Sequence, residues 1–446
     1  MNDNQKPDKG QAGRHTTTND LKQTLLDFGN VDSECTAEAR AKSSETAVTP
    51  NMAKQSMPIS DAVKVKNVKA IYIKLESVEC EVMPPAPSSD DFSNRQLTLF
   101  QSFLCNTAEE QQRLSNTIEL WDSVPRYSVG LRQQSMLRDE KTGTLPNYVI
   151  VFNYRGETFK AVIQPARINL IDDSGKPMFD ERGMPRTADF YPSNREELVE
   201  DALRKLASRQ SYGFVQQHPK ETSGVAFSLN ELCQELAARG HTFSYKQANH
   251  SLMILNRSHI FIYRECDERD KAEWVGATYI PILAAVSRKR IQAEPSSKWV
   301  AHFHPFVTQG IATLAYRQFN YEKMMSLSNQ LSRWLHKYLC MTFTFAGLTA
   351  PPFEIYYKTI KRDSGLLKQK SERRNFFDVE EAMKELTVKN VLADWKKKET
   401  VGARGKKIDA VYHLTPSTEF VREAKAANKR RVDIAARALC GKFPAK

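Results

Sequence analysis

The chain has 446 residues and carries 65 Lys and Arg against 53 Asp and Glu, a formal net charge of +12. Its length argues against a single compact core, because one domain usually takes roughly 100–200 residues. It contains no apolar run of about 18 residues, no signal-like N-terminus and no C-x-x-C pair, which argues against a membrane-spanning, secreted or Cys-ligated zinc protein and favours a cytoplasmic one.

The positive charge is concentrated towards the C-terminal end. Residues 351–446 hold 23 Lys and Arg against 13 Asp and Glu, whereas residues 1–95 hold 12 against 14. The first part of the chain is polar and poor in aromatics, so it lacks the apolar surface that offsets the entropy lost on folding. We therefore predict a mostly disordered arm over residues 1–94, in which the alternation within Val63–Val82 allows one strand.

Three features follow the arm in chain order. The run TAEEQQRLSNTIELW predicts a helix that begins with a capping box of Thr107 and Glu110 and continues to Trp121. Alternating residues over Asn147–Ile163 predict a hairpin that turns at Arg155 and Gly156. A loop rich in Gly, Asp and Pro is expected over residues 171–192.

Three helices with similar start signals come next. Each start pairs a Ser with Glu or Gln three residues later, which is typical of a capping box. The pairs are Ser193 with Glu196, Ser228 with Glu231, and Ser244 with Gln247. In the third helix the spacing places Tyr245, Ala248, Leu252 and Leu255 inward.

The order of these elements is typical of a winged helix-turn-helix. Two helices joined by a short turn precede a strand over His259–Tyr263, a charged loop over Glu265–Glu273 and a second strand from Trp274. The third helix would then read base edges, with Arg257 at its end for phosphate. Its outward residues are Lys246, Gln247, Asn249 and His250. The alternative is a generic α+β segment whose helix face is merely solvated.

A similar order recurs in the second half of the chain. We predict a helix over Met324–Cys340, a short strand at MTFTF and a helix over Pro352–Asp363 that starts with Pro. A third helix over Glu372–Leu386 precedes a hairpin formed by VLADW and IDAVYHL. The two copies share an order of elements without close sequence identity, so the repetition is architectural.

The second copy carries the clusters of positive charge. Lys370, Arg373 and Arg374 crowd the start of its third helix, where the helix dipole also favours phosphate. The predicted hairpin tip, KKKETVGARGKK, is a basic wing suited to phosphates. Its cations are Lys396, Lys397, Lys398, Arg404, Lys406 and Lys407. The GARGKK part lacks the spacing of a nucleotide-binding P-loop, and we predict no cofactor.

One pair of histidines allows an enzymatic alternative. His302 and His304 stand two apart in WVAHFHP, and on a strand they would face one side and chelate a metal. Such a pair is also found in endonucleases that nick replication origins through a tyrosine. No downstream tyrosine has Lys three residues later, so the pair is interpreted as part of a strand leading into the second copy, and no metal site is predicted.

Several segments together resemble a known family. QLTLF, NYVIVF, FSLNELCQELA, SYKQANHSLMIL and YEKMMSLSNQLSRWLHKYL look like the TrfA-type plasmid replication initiators, and more broadly like iteron-binding Rep proteins with two winged-helix domains. The resemblance covers roughly residues 95–420. It implies an α+β fold with tandem winged helix-turn-helix domains. The largely disordered N-terminal arm that the composition predicts precedes them and has no counterpart in the family.

The domain scheme follows from this resemblance and from the charge. After the arm at 1–94 come a clamp-binding motif and connecting helix at 95–140. The first winged-helix domain spans 141–298 and the second spans 299–420, and a basic C-terminal tail covers 421–446.

The resemblance also implies function and partners. Such initiators bind directly repeated sites in double-stranded plasmid origin DNA, assist melting beside them and recruit the host replicative helicase and sliding clamp. The host initiator and, without DNA, a second copy of the chain are further candidates, and no membrane partner is expected.

Clamp-binding peptides resemble QLTLF, and the matching residues are Gln96, Leu97, Leu99 and Phe100. A buried strand edge is the alternative for this segment, and a transcriptional regulator or a nicking endonuclease is the alternative for the whole chain.

Overall fold

The computed structural model describes residues 108–172, 176–209, 213–216, 222–264, 274–285, 299–344, 352–401 and 407–440. The arm at 1–94, its predicted strand, the QLTLF segment and the charged loop at 265–273 lie outside the described residues. All described residues fall within one compact unit of the chain.

The connecting segment folds differently from the predicted single helix. Helix α1 spans only Ala108–Arg113 and runs directly into strand β1, Leu114–Ile118, which is followed by a 3-10 turn at Trp121–Ser123 and by helix α2, Leu131–Leu137. Strand β1 pairs antiparallel with a strand about 200 residues later, from Leu114 opposite Asn320 to Ile118 opposite Tyr316. This long-range pairing overrides the local helical spacing.

The predicted hairpin is confirmed. Strands β2, Tyr148–Tyr154, and β3, Glu157–Gln164, pair in register, and both turn residues have positive φ, 51° at Arg155 and 84° at Gly156. Positive φ at both central residues is the geometry of a type I′ turn, whose twist suits a hairpin.

The segment predicted to be a loop contains a ribbon. Strands β4, Ala166–Asn169, and β5, Thr187–Phe190, pair antiparallel, and bridges between Ile171 and Pro177 and between Phe179 and Pro185 extend the pairing outward. The Gly and Pro content predicted turns here correctly, but it hid the strands that the turns connect.

The three helices of the first module begin where the capping boxes predict. Helices α3, α4 and α5 span Asn194–Ala207, Leu229–Ala238 and Tyr245–Arg257, and all three boxes are present. Two strands lie between α3 and α4, namely β6, Gly213–Gln216, and β7, Thr222–Phe227. Two more follow α5, namely β8, His259–Arg264, and β9, Trp274–Thr278. One sheet has the order β2-β3-β8-β9.

Ala248, Leu252 and Leu255 of α5 are buried as predicted, because they share the face that packs on α3 and α4. The prediction for Tyr245 is wrong: its side chain is 56% exposed. Its hydroxyl donates to Asn230 Oδ1 of α4 at 2.9 Å, so the side chain contacts the first turn of α4 rather than the core.

A second sheet and a two-stranded pairing lie between the first module and the elements of the second. Strands β10, Leu283–Ala284, and β11, Trp299–His302, join β7 and β6 in the order β10-β11-β7-β6. Helix α6, Pro305–Ala312, follows β11, and strand β12, Tyr316–Asn320, is the partner of β1. These pairings join residues far apart in sequence, which local periodicity does not indicate.

The second module repeats the winged-helix order. Its elements are α7, Tyr321–Met325, α8, Gln330–Thr342, β13, Phe353–Tyr356, α9, Tyr357–Ser364, α10, Glu372–Val388, β14, Leu392–Val401, and β15, Lys407–Pro416. Its three strands have the order β13-β15-β14. The predicted α+β fold with tandem winged helix-turn-helix units is confirmed.

Three predictions in this module need correction. The helix over Met324–Cys340 is two helices, because Asn329 caps α8 by accepting from Leu331 N at 2.8 Å. Met341 and Thr342 of MTFTF extend α8 instead of forming a strand. The helix expected from Pro352 starts only at Tyr357, because β13 first pairs along β15.

Residues assigned to a basic tail largely form a helix. Helix α11 spans Thr418–Cys440 and buries Phe420, Ala424 and Ala427. Arg430 Nη1 lies 2.6 Å from Glu110 Oε1, which ties α11 to α1. Within the described part of the chain, no helix has the length and apolar character needed to cross a membrane.

The modules meet through a network of buried charges. Lys337 Nζ of α8 lies 2.6 Å from Asp201 Oδ2 and 3.3 Å from Glu197 Oε1, both on α3. Arg204 Nη2 contacts the other oxygen of Asp201 at 2.7 Å and Nη1 contacts Asp122 Oδ2 at 2.6 Å. The side chains of Lys337, Asp201, Arg204 and Asp122 are all nearly inaccessible to water.

The same network continues through Arg126 and Glu200. Arg126 Nη2 lies 2.9 Å from Asp122 Oδ1 and 3.0 Å from Glu200 Oε2. The indole of Trp121 donates to Glu200 Oε1 at 2.7 Å, and the hydroxyl of Tyr127 also donates to Glu200. These neutral donors add hydrogen bonds to a carboxylate that the two arginines already contact, so both oxygens of the buried Glu200 are well satisfied.

The protonation states follow from this arrangement. Burial alone would raise the pKa of Asp122, but Arg204 and Arg126 hold it well below its usual range. Burial likewise opposes ionisation of Glu200, and Arg126 and Arg204 nevertheless lower its pKa to about 2. Burial would lower the pKa of Lys337, yet Asp201 and Glu197 raise it, so the ammonium stays charged.

The network generates a stability prediction. Lys337→Met removes the cation that joins α8 to α3 and leaves two buried carboxylates short of their partner, which we expect to cost about 3–5 kcal/mol. Urea denaturation of the variant would measure this loss. Lys384→Met is the matched control, because Lys384 is exposed and its ion pair is with Glu381 on its own helix. Equal midpoints for the two variants would contradict the account.

Candidate nucleic-acid interface

Helix α5 presents part of the predicted polar face to solvent. Lys246, Asn249 and Arg257 are exposed. Gln247 has a different role, because its Oε1 accepts from Ser244 N at 2.9 Å and so closes the capping box. The side chain therefore positions the start of α5.

His250 is half-buried at the edge of this face. Its Nδ1 lies 2.8 Å from Arg195 Nη2, and its ring packs edge-on against Phe190 with centroids 5.0 Å apart. Burial and the neighbouring Arg195 lower the pKa of His250 to about 4. At neutral pH His250 is therefore an uncharged hydrogen-bonding group, not a counter-ion for phosphate.

The ribbon of β4 and β5 extends this side of the module. Arg257 Nη1 donates to the carbonyl of Arg167 at 3.1 Å, and β4 packs against α5. The Arg167 side chain is largely exposed, with its Nε 3.0 Å from Asp189 Oδ1. Sequence reasoning missed Arg167, since the segment was interpreted as a loop.

Helix α10 presents a more strongly basic face. Lys370 lies just before it, and Lys370, Arg373 and Arg374 are all exposed. Phe377 and Lys384 are exposed too, and Phe377 lies beside Arg374. Neither was predicted as a site residue, although helical spacing from Arg373 and Arg374 indicates both.

The basic hairpin differs from the prediction in one respect. Strand β14 continues to Val401, so Lys396, Lys397 and Lys398 lie along a strand rather than at its tip. Side chains alternate along a strand, and Lys396 and Lys398 are accordingly exposed on one face. Lys397 points to the other face, where its Nζ lies 2.6 Å from Glu380 Oε1 and also pairs with Glu399.

For the remaining predicted site residues, the structure gives no side-chain contacts. Lys407 is the first residue of β15. Arg404 and Lys406 lie outside the described residues, as do Gln96, Leu97, Leu99 and Phe100.

The two histidines do not form a pair on one strand. Strand β11 ends at His302, whereas His304 caps helix α6 by accepting from Phe306 N at 3.2 Å. The His304 ring stacks on Trp121 with centroids 4.1 Å apart, and burial lowers its pKa to about 3. Within the described ranges, no group of three or more His, Cys, Asp or Glu side chains is arranged to hold a metal ion.

Similarity to known proteins is found in structure rather than in sequence. Its sequence matches no protein-family model and no curated protein. A crystal structure of domains 2 and 3 of RctB is similar at 10% identity and a TM-score of 0.37, covering 60% of this chain and 91% of that one. The Pi initiator protein in complex with iteron DNA is similar at 13% identity and a TM-score of 0.34, covering 50% and 91%.

Proposed function

We propose that this protein is a non-enzymatic initiator of plasmid replication that binds repeated origin sites in duplex DNA. One observation carries the proposal: two winged-helix modules occur in one compact unit, and each exposes a polar third helix that bears cations. The third helix of such a module is the element that enters the major groove.

The exposed side chains suit two kinds of contact. Asn249 offers an amide able to pair with the edge of adenine, and Arg373 or Arg374 offers a guanidinium able to pair with guanine. Lys246, Lys370 and Lys384 are point charges suited to phosphates. Contacts of the first kind give sequence preference and those of the second give affinity, which is the division expected of a sequence-specific binder.

The buried contact between the modules supports a bipartite site. The ion pairs that join α3 to α8 are buried away from water. Helices α5 and α10 therefore belong to one unit rather than to two tethered ones. Helices that read successive major grooves lie one helical turn apart, so we expect each repeat to span about 20 base pairs.

The domain boundaries at 141–298 and 299–420 stay part of this proposal. So do the recruitment of the replicative helicase and of the sliding clamp, the latter supported by the sequence of Gln96, Leu97, Leu99 and Phe100. A winged-helix transcriptional regulator is the second candidate, because the same two modules would also serve a repressor.

Opening of DNA separates the two candidates. On a supercoiled plasmid that carries the repeats beside an AT-rich segment, we expect the protein to make thymines of that segment reactive to permanganate. Reactivity should require the repeats and vanish when they are shuffled. Tight, repeat-specific binding without any permanganate reactivity would favour the regulator and contradict the initiator.

A variant of the clamp motif provides the control for this assay. Leu99→Ala should open the same segment as the unchanged protein while losing affinity for the isolated sliding clamp. Loss of opening and of repeat binding as well would mean that the QLTLF segment belongs to the fold.

The alternation along β14 generates a second DNA-binding prediction. Removing Lys396 and Lys398 together should reduce the slope of log affinity against log salt by about 2, since each phosphate contact contributes roughly 0.9. Fluorescence anisotropy across a salt series would measure the slope. Lys397→Ala is the matched control and should leave the slope unchanged, because its ammonium is paired with Glu380 and Glu399. If Lys397→Ala alone reduced the slope by about 1, half of the change expected for the double variant, the assignment would be contradicted.

A further inference from the structure

Two adjacent phenylalanines on α10 differ in burial. Phe376 is buried and stacks on Tyr357 with ring centroids 4.0 Å apart. Phe377 lies on the outer face with 44% of its surface exposed, next to the exposed Arg373 and Arg374. Because position 377 faces solvent, a polar residue there would avoid exposing an apolar ring.

The ring of Phe377 is held in place by a charged neighbour. The guanidinium carbon of Arg374 lies 4.8 Å from the ring centroid, within the range of a cation–π contact. Arg374 Nε is in turn 3.2 Å from Asp378 Oδ1 on the same helix. The ring, the guanidinium and the Asp378 carboxylate therefore lie in consecutive contact on the outer face of α10.

The chemistry of the major groove identifies what such a ring would contact. Base edges there present hydrogen-bond donors and acceptors, and the apolar group among them is the C5-methyl of thymine. Insertion of an apolar wedge between base pairs is the other use of an exposed ring, but that is a device of minor-groove binders. The third helix of a winged-helix module enters the major groove instead.

We propose that Phe377 determines specificity by packing its ring against the C5-methyl group of one thymine in the half-site bound by the second module. This inference rests on the proposed function, because it assumes that α10 enters the groove. Arg374 is the positioning residue that fixes the ring, and its outer nitrogens remain directed at the DNA beside that thymine.

The test replaces each thymine of a bound repeat in turn by deoxyuridine, which removes only the methyl group. For the unchanged protein, one substitution should weaken binding by about 4-fold, the effect of one methyl group worth about 0.8 kcal/mol. Phe377→Ala should bind the original repeat more weakly and should lose the sensitivity to that deoxyuridine. Fluorescence anisotropy with both proteins and both duplexes completes the double-mutant cycle.

Two controls make the result specific. Val388→Ala removes another exposed apolar side chain at the far end of α10 and should keep the full deoxyuridine effect. Affinity for random duplex and the thermal midpoint should be the same for Phe377→Ala and the unchanged protein, which shows that the variant folds and keeps its phosphate contacts.

The outcomes separate the inference from the proposed function. If the unchanged protein prefers its repeat but no deoxyuridine matters, or if the sensitivity persists in Phe377→Ala, the thymine contact is wrong and the proposed function stands. Equal affinity for the repeat and for random duplex would instead remove the proposed function, and the thymine contact with it.

Discussion

Lys337 of α8 reaches the first module in a place from which water is almost excluded, and there it meets Asp201 and Glu197 of α3. Burying charges costs several kcal/mol per ion, and their attraction repays that cost only when every partner is present in good geometry. The arrangement is therefore intolerant of partial separation. Moving α8 away from α3 would leave carboxylates stranded beside Arg204 and Asp122.

This constraint fixes the relation between α5 and α10, the helices that we propose bind DNA. Helix α3 packs on α5 in the first module, and α8 packs on α10 in the second, so the buried network lies between α5 and α10. In the proposed function, a unit held in this way would bind its second half-site without a further loss of freedom. That would favour affinity and make the spacing of the half-sites part of the specificity.

Much of this fold can be predicted from local signals in the sequence. Capping boxes at Ser193, Ser228 and Ser244 mark helix starts correctly, because a cap depends on residues only three positions apart. Strands whose partners are distant were missed: β1 looks helical by itself and becomes a strand only through β12. The strand at Phe353–Tyr356 was likewise hidden until β15 supplied its hydrogen bonds.

The candidate site shows the same division. The cations at Lys370, Arg373 and Arg374 lie where helical spacing predicts. The direction of Lys397 follows from the two-residue period of β14, but the sequence did not indicate that the strand extends so far. The role of Gln247 as a cap and the burial of His250 beside Arg195 depend on packing, which spacing alone does not reveal.

The spacing of the half-sites tests the central claim most directly. A bound repeat would be lengthened between its two half-sites by 5 or by 10 base pairs, and affinity would be measured for each duplex. Modules joined through Lys337 cannot follow either displacement, so both insertions should weaken specific binding by roughly 100-fold or more. Recovery of the original affinity with the 10-base-pair insertion, which restores the helical face, would show that the modules move independently and would contradict the account.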